Sequence, residues 1–248
     1  MVEDIDDFNG RRVLVTGGSR GLGAGLVDWL ISSGAVVMSV GRSQVNAPAN
    51  SRLISVCLDL VKEGNVRALT DAAIEFKPDS IVHCLGGGFK KSADLISAED
   101  FLYLLKFNFL VALQLNNALL GSMVQKRKGW IVHVGSLATK EVTASLGYTC
   151  VKSLILPYVR HLGKKYITDD VYISGVTLGA LSGYDGAMDR LHAERRGVFD
   201  QFLATRRPTQ RCTPIDEVLP YFRLLLSRGA KLHASNMLSI TEAEGYAI

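Results

Sequence analysis

The chain is poor in several things, and each shortage excludes something. It has four cysteines in 248 residues. Cys57, Cys84, Cys150 and Cys212 are widely separated and form no C-x-x-C pair. A zinc site asks for paired spacing with histidines nearby, so no metal is expected. Isolated cysteines in apolar or mixed surroundings are expected to be small buried thiols in a reducing compartment, here the cytoplasm. The opening MVEDIDDFNG has no basic n-region and no apolar h-region, so no signal peptide is expected. No apolar run approaches the roughly 18 residues that suggest a membrane span. Charge of one sign is scarce too. A net +4 spread along the chain is too weak and scattered for a nucleic-acid partner, although it suits an anionic cofactor or substrate. No repeat or composition shift marks a second domain. Residues 1–248 therefore read as one unit with one sizeable core.

What is present is alternation. RVLVT, AVVMSV, RLISVCL, SIVHCL, GWIVHV, VYISGVT and, more weakly, SNMLSI read as strands, several of them apolar at consecutive positions. Longer helical patterns separate them: GLGAGLVDWLISS, NVRALTDAAIEF, AEDFLYLLKFNFLVALQLNNALLGSMV, YTCVKSLILPYVRHLGKKY and PIDEVLPYFRLLLSRG. Strand and helix in turn imply parallel βαβ units. The expected fold is α/β, a doubly wound sheet of about seven mostly parallel strands with helices on both faces. One connection departs: RSQVNAPANSRL, from Arg42 to Leu53, has no helical periodicity and is expected to be a loop that covers its sheet edge incompletely.

The first strand runs directly into TGGSRGLGAGL, where Gly17, Gly21 and Gly23 precede an amphipathic helix. Glycine is needed where a turn demands positive φ or where backbone approaches a ligand closely. The N–H groups at the following helix start favour a pyrophosphate. Strand, glycine turn and helix in this order are the context of a dinucleotide site in a Rossmann-like sheet. Arg20 lies inside the glycine loop and Arg42 follows the second strand, beside Ser43. An acidic residue there would hold a ribose 2′-hydroxyl, whereas an arginine accommodates a 2′-phosphate, so NADP(H) is favoured over NAD(H).

In SLGYTCVKSLIL, Tyr148 and Lys152 stand four residues apart and project from one face of a helix. The pair either decorates a solvated edge or forms the acid of an active site and the charge that tunes it.

With TGGSRGLG, CLDL, KFNFLVALQL, GWIVHVGSLA and YTCVK in this order, the sequence resembles the short-chain dehydrogenase/reductase family in its compact single-domain branch, from about Arg12 to Arg228. The resemblance implies a catalytic set of Asn108, Ser136, Tyr148 and Lys152. Tyr148 would protonate a carbonyl oxygen, Ser136 would hold that oxygen, Lys152 would lower the phenol pKa and bind ribose hydroxyls, and Asn108 would bend its helix and anchor a water. It also implies that Ser19 and Leu22 join Gly17, Arg20, Gly21 and Gly23 around the phosphates. Asp59 and Leu60 would sit at the adenine. Gly86, Gly179 and Leu181 would sit near the nicotinamide, with Tyr148 and Lys152. The expected function is NADPH-dependent reduction of a ketone or oxidation of the matching secondary alcohol. The expected substrate is a small carbonyl compound, with anionic and carrier-bound forms both open and a 3-oxoacyl thioester foremost. A non-catalytic NADP(H)-binding or scaffold protein of the same fold is the alternative. A homodimer or homotetramer is implied by the same resemblance, with the stripe Phe101, Leu105, Phe109, Ala112, Asn116 and Leu119 serving core and subunit contact.

The sequence departs from the family at several points. His83 and Cys84 replace two asparagines after the fourth strand, and His83, like His133, is expected to be a buried, hydrogen-bonded ring. The following GGF suggests a roomy approach. Leu178 replaces a proline before Gly179, Ser182 is a weaker candidate near the phosphates, and SITEAEGYAI lacks the family's D-G-G ending. Residues 183–212 are expected to form a substrate lid. Six arginines there could meet an anion or merely pair along a solvated helix, and Tyr184, Met188 and Phe202 could give it an apolar underside.

Overall fold

The computed structural model describes residues 8–45, 52–88, 95–141 and 144–245. The first half runs β1 (Arg12–Thr16), α1 (Gly21–Ser32), β2 (Val36–Gly41), β3 (Leu53–Cys57), α2 (Asn65–Phe76), β4 (Ser80–His83), α3 (Ala98–Leu105), a π turn (Lys106–Leu110) and α4 (Val111–Lys126). The second half runs β5 (Gly129–Ser136), α5 (Ala138–Glu141), α6 (Leu146–Ser153), α7 (Ile155–Tyr166), β6 (Val171–Leu178), β7 (Leu181–Ser182), α8 (Ala187–Glu194), α9 (Arg196–Arg206), β8 (Thr213–Pro214), α10 (Ile215–Leu225), α11 (Ala230–His233) and β9 (Met237–Ile240).

All seven strands read from the sequence enter one parallel sheet in the order β3-β2-β1-β4-β5-β6-β9. Successive side chains on a strand face opposite ways. Val13 and Val15 accordingly join the cluster with Leu26, Leu30, Val218 and Phe222 from α1 and α10. Leu14 between them joins Leu69, Leu115 and Leu119 from α2 and α4 on the other face. The chain winds outward from β1 to β3 and then crosses to β4, which opens a crevice between β1 and β4 at the strands' carboxyl ends.

Edge strand β3 is only half-buried; residues 46–51 of the Arg42–Leu53 connection, on which the expected loop and its incomplete cover fall, lie outside the described residues. The helix read from Tyr148 to Tyr166 is divided at Leu154. Pro157 has no N–H to donate to the Ser153 carbonyl, so the ladder breaks there.

The expectations corrected here concern α3–α4 and the cysteines. Ala98–Lys126 is, by length and composition, long and apolar enough to cross a membrane, with a window of mean hydropathy 1.3, but half of that window is buried inside the fold. The π turn inserts an extra residue and rotates the helix face. The buried row is therefore Leu104, Asn108, Val111, Leu115, Leu119 and Met123, and of the predicted stripe only Asn116 and Leu119 are fully covered. Of the cysteines Cys212 is buried and Cys84 half-buried, whereas Cys57 and Cys150 are exposed.

Candidate active site

The crevice begins at the turn between β1 and α1. Gly17 has φ +75° and Gly21 φ +54°, and a Cβ on Gly23 would lie 2.1 Å from the Gly17 carbonyl oxygen. These positions need glycine because side chains would either strain the turn or collide with it. Helix α1 then starts with no side-chain cap and no acidic residue in its first turn, leaving a positive helix end at the crevice. A cleft of about 460 Å³ opens here. Gly17, Ser19, Arg20, Gly21, Leu22, Gly23, Arg42, Leu60 and Gly86 all border it, as the resemblance implied. Two predicted members do not. Ser43 is exposed beyond the rim. Asp59 borders an adjoining open groove with Lys106, where its Oδ1 accepts from the Val61 N–H (3.3 Å).

A second lobe of about 290 Å³ shares Gly21, Leu22, Cys84 and Gly86 with the first and is walled by Ser136, Tyr148, Lys152, Gly179 and Leu181. Ser136 ends β5, while Tyr148 and Lys152 lie one turn apart on α6. Lys152 is 4% exposed. Its Nζ donates to the Val134 carbonyl (3.0 Å) and sits 5.9 Å from the centre of the Tyr148 ring. Burial pulls the Lys152 pKa down to about 8, and the same burial pushes the Cys84 thiol beside it up to about 12. The Tyr148 phenol moves opposite to expectation. Burial raises its pKa, and the bond from Ser136 offsets only part of that rise. Tyr148 is thus held as a neutral phenol, the form that can donate a proton.

Asn108 lies at the middle of the π turn and is 4% exposed. Its Oδ1 accepts from the Gly87 N–H (3.0 Å), and its Nδ2 donates to the carbonyls of Gly87 (3.1 Å) and Leu104 (3.0 Å). The local helix distortion thereby fixes the loop after β4. A Cβ on Gly86 would fall 2.8 Å from Lys152 Nζ and 3.0 Å from Asn108 Oδ1. This glycine stretch is pinned at Gly86 and Gly87, yet Gly86, Gly87 and Gly88 all border the cleft and a Cβ on Gly88 would meet nothing nearer than 3.9 Å; Phe89 lies outside the described residues.

His83 and His133 are buried and stacked at 4.6 Å between ring centres. Asn116 joins them: His83 Nε2 lies 2.9 Å from its Oδ1, and its Nδ2 reaches His133 Nε2 (3.2 Å) and the Tyr158 hydroxyl (3.2 Å). Burial pulls the His83 pKa down to about 4 and lowers that of His133 as well, so both rings stay neutral. Ser182 borders neither lobe, and its hydroxyl lies 3.5 Å from the Cys212 carbonyl.

Sequence reasoning missed Arg207 and Glu244. The Glu244 carboxylate accepts from the Ala180 N–H (2.5 Å) and from Arg207 Nη1 (2.9 Å), locking the Gly179–Leu181 wall in place. No local pattern announces it, because Glu244 lies 64 residues from Ala180 and 37 from Arg207.

The comparisons agree with this geometry. A family model described as short chain dehydrogenase matches residues 11–192. The chain is 28% identical over 186 residues to a ketoacyl reductase, HetN, of Nostoc sp., covering 71% of this chain and 65% of that protein. In fold it is similar to a 3-oxoacyl (acyl-carrier-protein) reductase from Agrobacterium tumefaciens C58 with NADP bound (TM-score 0.84, 21% identity, 99% and 98% of the two chains). It is also similar to a short chain dehydrogenase from Leptospira borgpetersenii with NAD+ bound (TM-score 0.82, 18% identity, 98% and 96%). With residues 11–192 matched and the glycine turn, Ser136, Tyr148 and Lys152 lining one crevice, the chain belongs to the short chain dehydrogenase family.

Proposed function

We propose that the protein reduces a ketone with NADPH, or oxidises the corresponding secondary alcohol, and that Tyr148 is its acid/base. The carrying observation is that Ser136, Tyr148 and Lys152 share one wall of a cleft continuous with a glycine cradle fit for a dinucleotide. When bound, the nicotinamide supplies the hydride. The chain's own residues do the rest. Tyr148, kept protonated by burial, donates its proton to the carbonyl oxygen. Ser136 donates a hydrogen bond to the same oxygen as charge gathers on it. Lys152 supplies a positive charge that steadies the phenolate left behind. Asn108 holds Gly87, and through it the backbone beside Lys152, in place.

NADPH over NADH is supported by Arg42 at the cleft rim, where no carboxylate stands ready for a ribose hydroxyl. A 3-oxoacyl thioester is the substrate class favoured by the ketoacyl reductase relative. The decisive assay follows absorbance at the NADPH band with β-oxoacyl thioesters, simple ketones and keto-sugars. Tyr148→Phe is expected to abolish turnover while NADPH binding stays within a few-fold of wild type. Undiminished reduction by that variant would remove Tyr148 from its role.

A further inference from the structure

We infer that Arg190, on lid helix α8, is a third cationic group of the cofactor cleft, and that it grips the pyrophosphate of the bound dinucleotide in exchange for the Asp185 carboxylate. This rests on the dinucleotide reading above.

The six lid arginines look alike in sequence, yet their surroundings separate them. Arg207 and Arg211 are engaged by the C-terminal glutamates. Arg196 pairs with Asp200 at 3.8 Å on a solvated helix face. Arg190 alone of the six borders the cleft, beside Gly186 and Ala187. That part of the lid is seated on the start of α1. The Gly21 N–H donates to the Tyr184 carbonyl (2.6 Å), and Gly186 Cα lies 3.3 Å from where a Cβ on Gly21 would stand. It is also where α1 offers its positive end, which no side chain caps.

Between the arginines stands Asp185. Its Oδ2 is 3.9 Å from Arg20 Nη1 and 3.8 Å from Arg190 Nη1, and its side chain is 68% exposed. Pairs so long and so wet are weak. A pyrophosphate brings more charge and can accept paired, charge-assisted bonds from a guanidinium fork, so it outcompetes a loosely held carboxylate. The Asp185 backbone also favours exchange. Gly183, Tyr184 and Asp185 follow one another at φ +112°, +57° and +51°, and left-handed non-glycine residues persist only while their surroundings hold them there. Arg190 further donates to the Asp185 carbonyl, so side chain and strained turn move together.

The test is calorimetric titration of NADPH and of NADH into the wild type, Arg190→Ala, Arg190→Lys, Asp185→Asn and Arg42→Ala. Pyrophosphate is common to both nucleotides and the 2′-phosphate is not. Arg190→Ala is therefore expected to weaken both by about ten-fold, the size of one charge-assisted bond. Arg190→Lys should recover part of the loss, Asp185→Asn should tighten both, and Arg42→Ala should weaken NADPH alone. Unchanged binding by Arg190→Ala overturns the inference. So does a loss confined to NADPH, which would make Arg190 a 2′-phosphate reader. A loss in Asp185→Asn equal to that in Arg190→Ala also overturns it, since the pair would then be a structural latch. If wild type binds neither nucleotide, the dinucleotide reading fails and the inference falls with it.

Discussion

Lys152 is an ammonium held in the interior beside a thiol that stays protonated, and its pKa of about 8 sets a pH limit on the site. Below that value the residue carries the charge that, in the proposed mechanism, steadies a phenolate; above it the charge is gone. The reductive kcat/KM is therefore expected to fall as pH rises through about 8, and a profile flat to far higher pH would place the controlling charge elsewhere. The stability sign is opposite. The unfolded lysine keeps its proton up to its ordinary value of about 10.5, whereas the folded one releases it near 8. The penalty for burying the charge is complete below pH 8 and is relieved between the two values. Gly86 makes a second prediction at this scale. Its missing Cβ leaves room for Lys152 Nζ and Asn108 Oδ1, so Gly86→Ala is expected to lower kcat sharply in steady-state assays while the protein remains folded by circular dichroism.

At the scale of elements, the π turn and the two buried amides on this helix matter most. Asn108 ties the distorted turn to the loop after β4, and Asn116, two turns on, ties α4 to β4, β5 and α7 through His83, His133 and Tyr158. Removing Asn116 leaves two buried imidazoles short of partners, and unsatisfied buried groups cost about 1–3 kcal/mol each. Asn116→Ala is expected to lower the unfolding free energy by about 2–4 kcal/mol in urea. Because the residue lies behind the sheet from the glycine turn, affinity for NADPH should change little. A fully stable Asn116→Ala would mean that the histidines find other partners.

For the molecule as a whole, the C-terminal segment closes the structure. Arg207 is fully buried and bonds Glu244, Glu242, Thr213 and the carbonyls of Arg211 and Thr241. Arg211 adds Glu217 and Glu242. The cluster joins Arg207 and Arg211, the start of α10 and the Thr241–Glu244 stretch to the Gly179–Leu181 wall. Arg207→Ala would strand Glu244 as an unpaired buried charge, so a loss of about 3–5 kcal/mol is expected in denaturant unfolding. Arg207→Met with Glu244→Gln should recover part of it, because the unpaired charge is then absent. Burial opposes the charge on Glu242, but Thr213, Arg211 and Arg207 outweigh it and hold its pKa below the ordinary carboxylate range. Its stabilisation is present above that range and fades as pH drops through the lowered value.

Much of this was legible in the sequence by itself. Seven β-branched runs are strands because their apolar residues suit a sheet covered on both faces, and the glycine turn and the Tyr148–Lys152 pair stand in local patterns whose spacing carries their geometry, whereas Asn108 and Ser136 were implied by the family resemblance. What escaped depends on contacts between distant segments. The direction of the Tyr148 pKa follows from burial by the rest of the fold, not from the lysine one turn away. The arginines of residues 183–212 are told apart by their neighbours in space: Arg207 meets Glu244, Arg196 meets Asp200 on its own helix, and Arg190 meets Asp185 at the cleft. Local spacing determined the strands, the cradle and the phenol–lysine pair. The folded chain alone decided which groups are dry, which charges are paired and which lid arginine borders the cleft, because desolvation and ion pairing are set by neighbours in space.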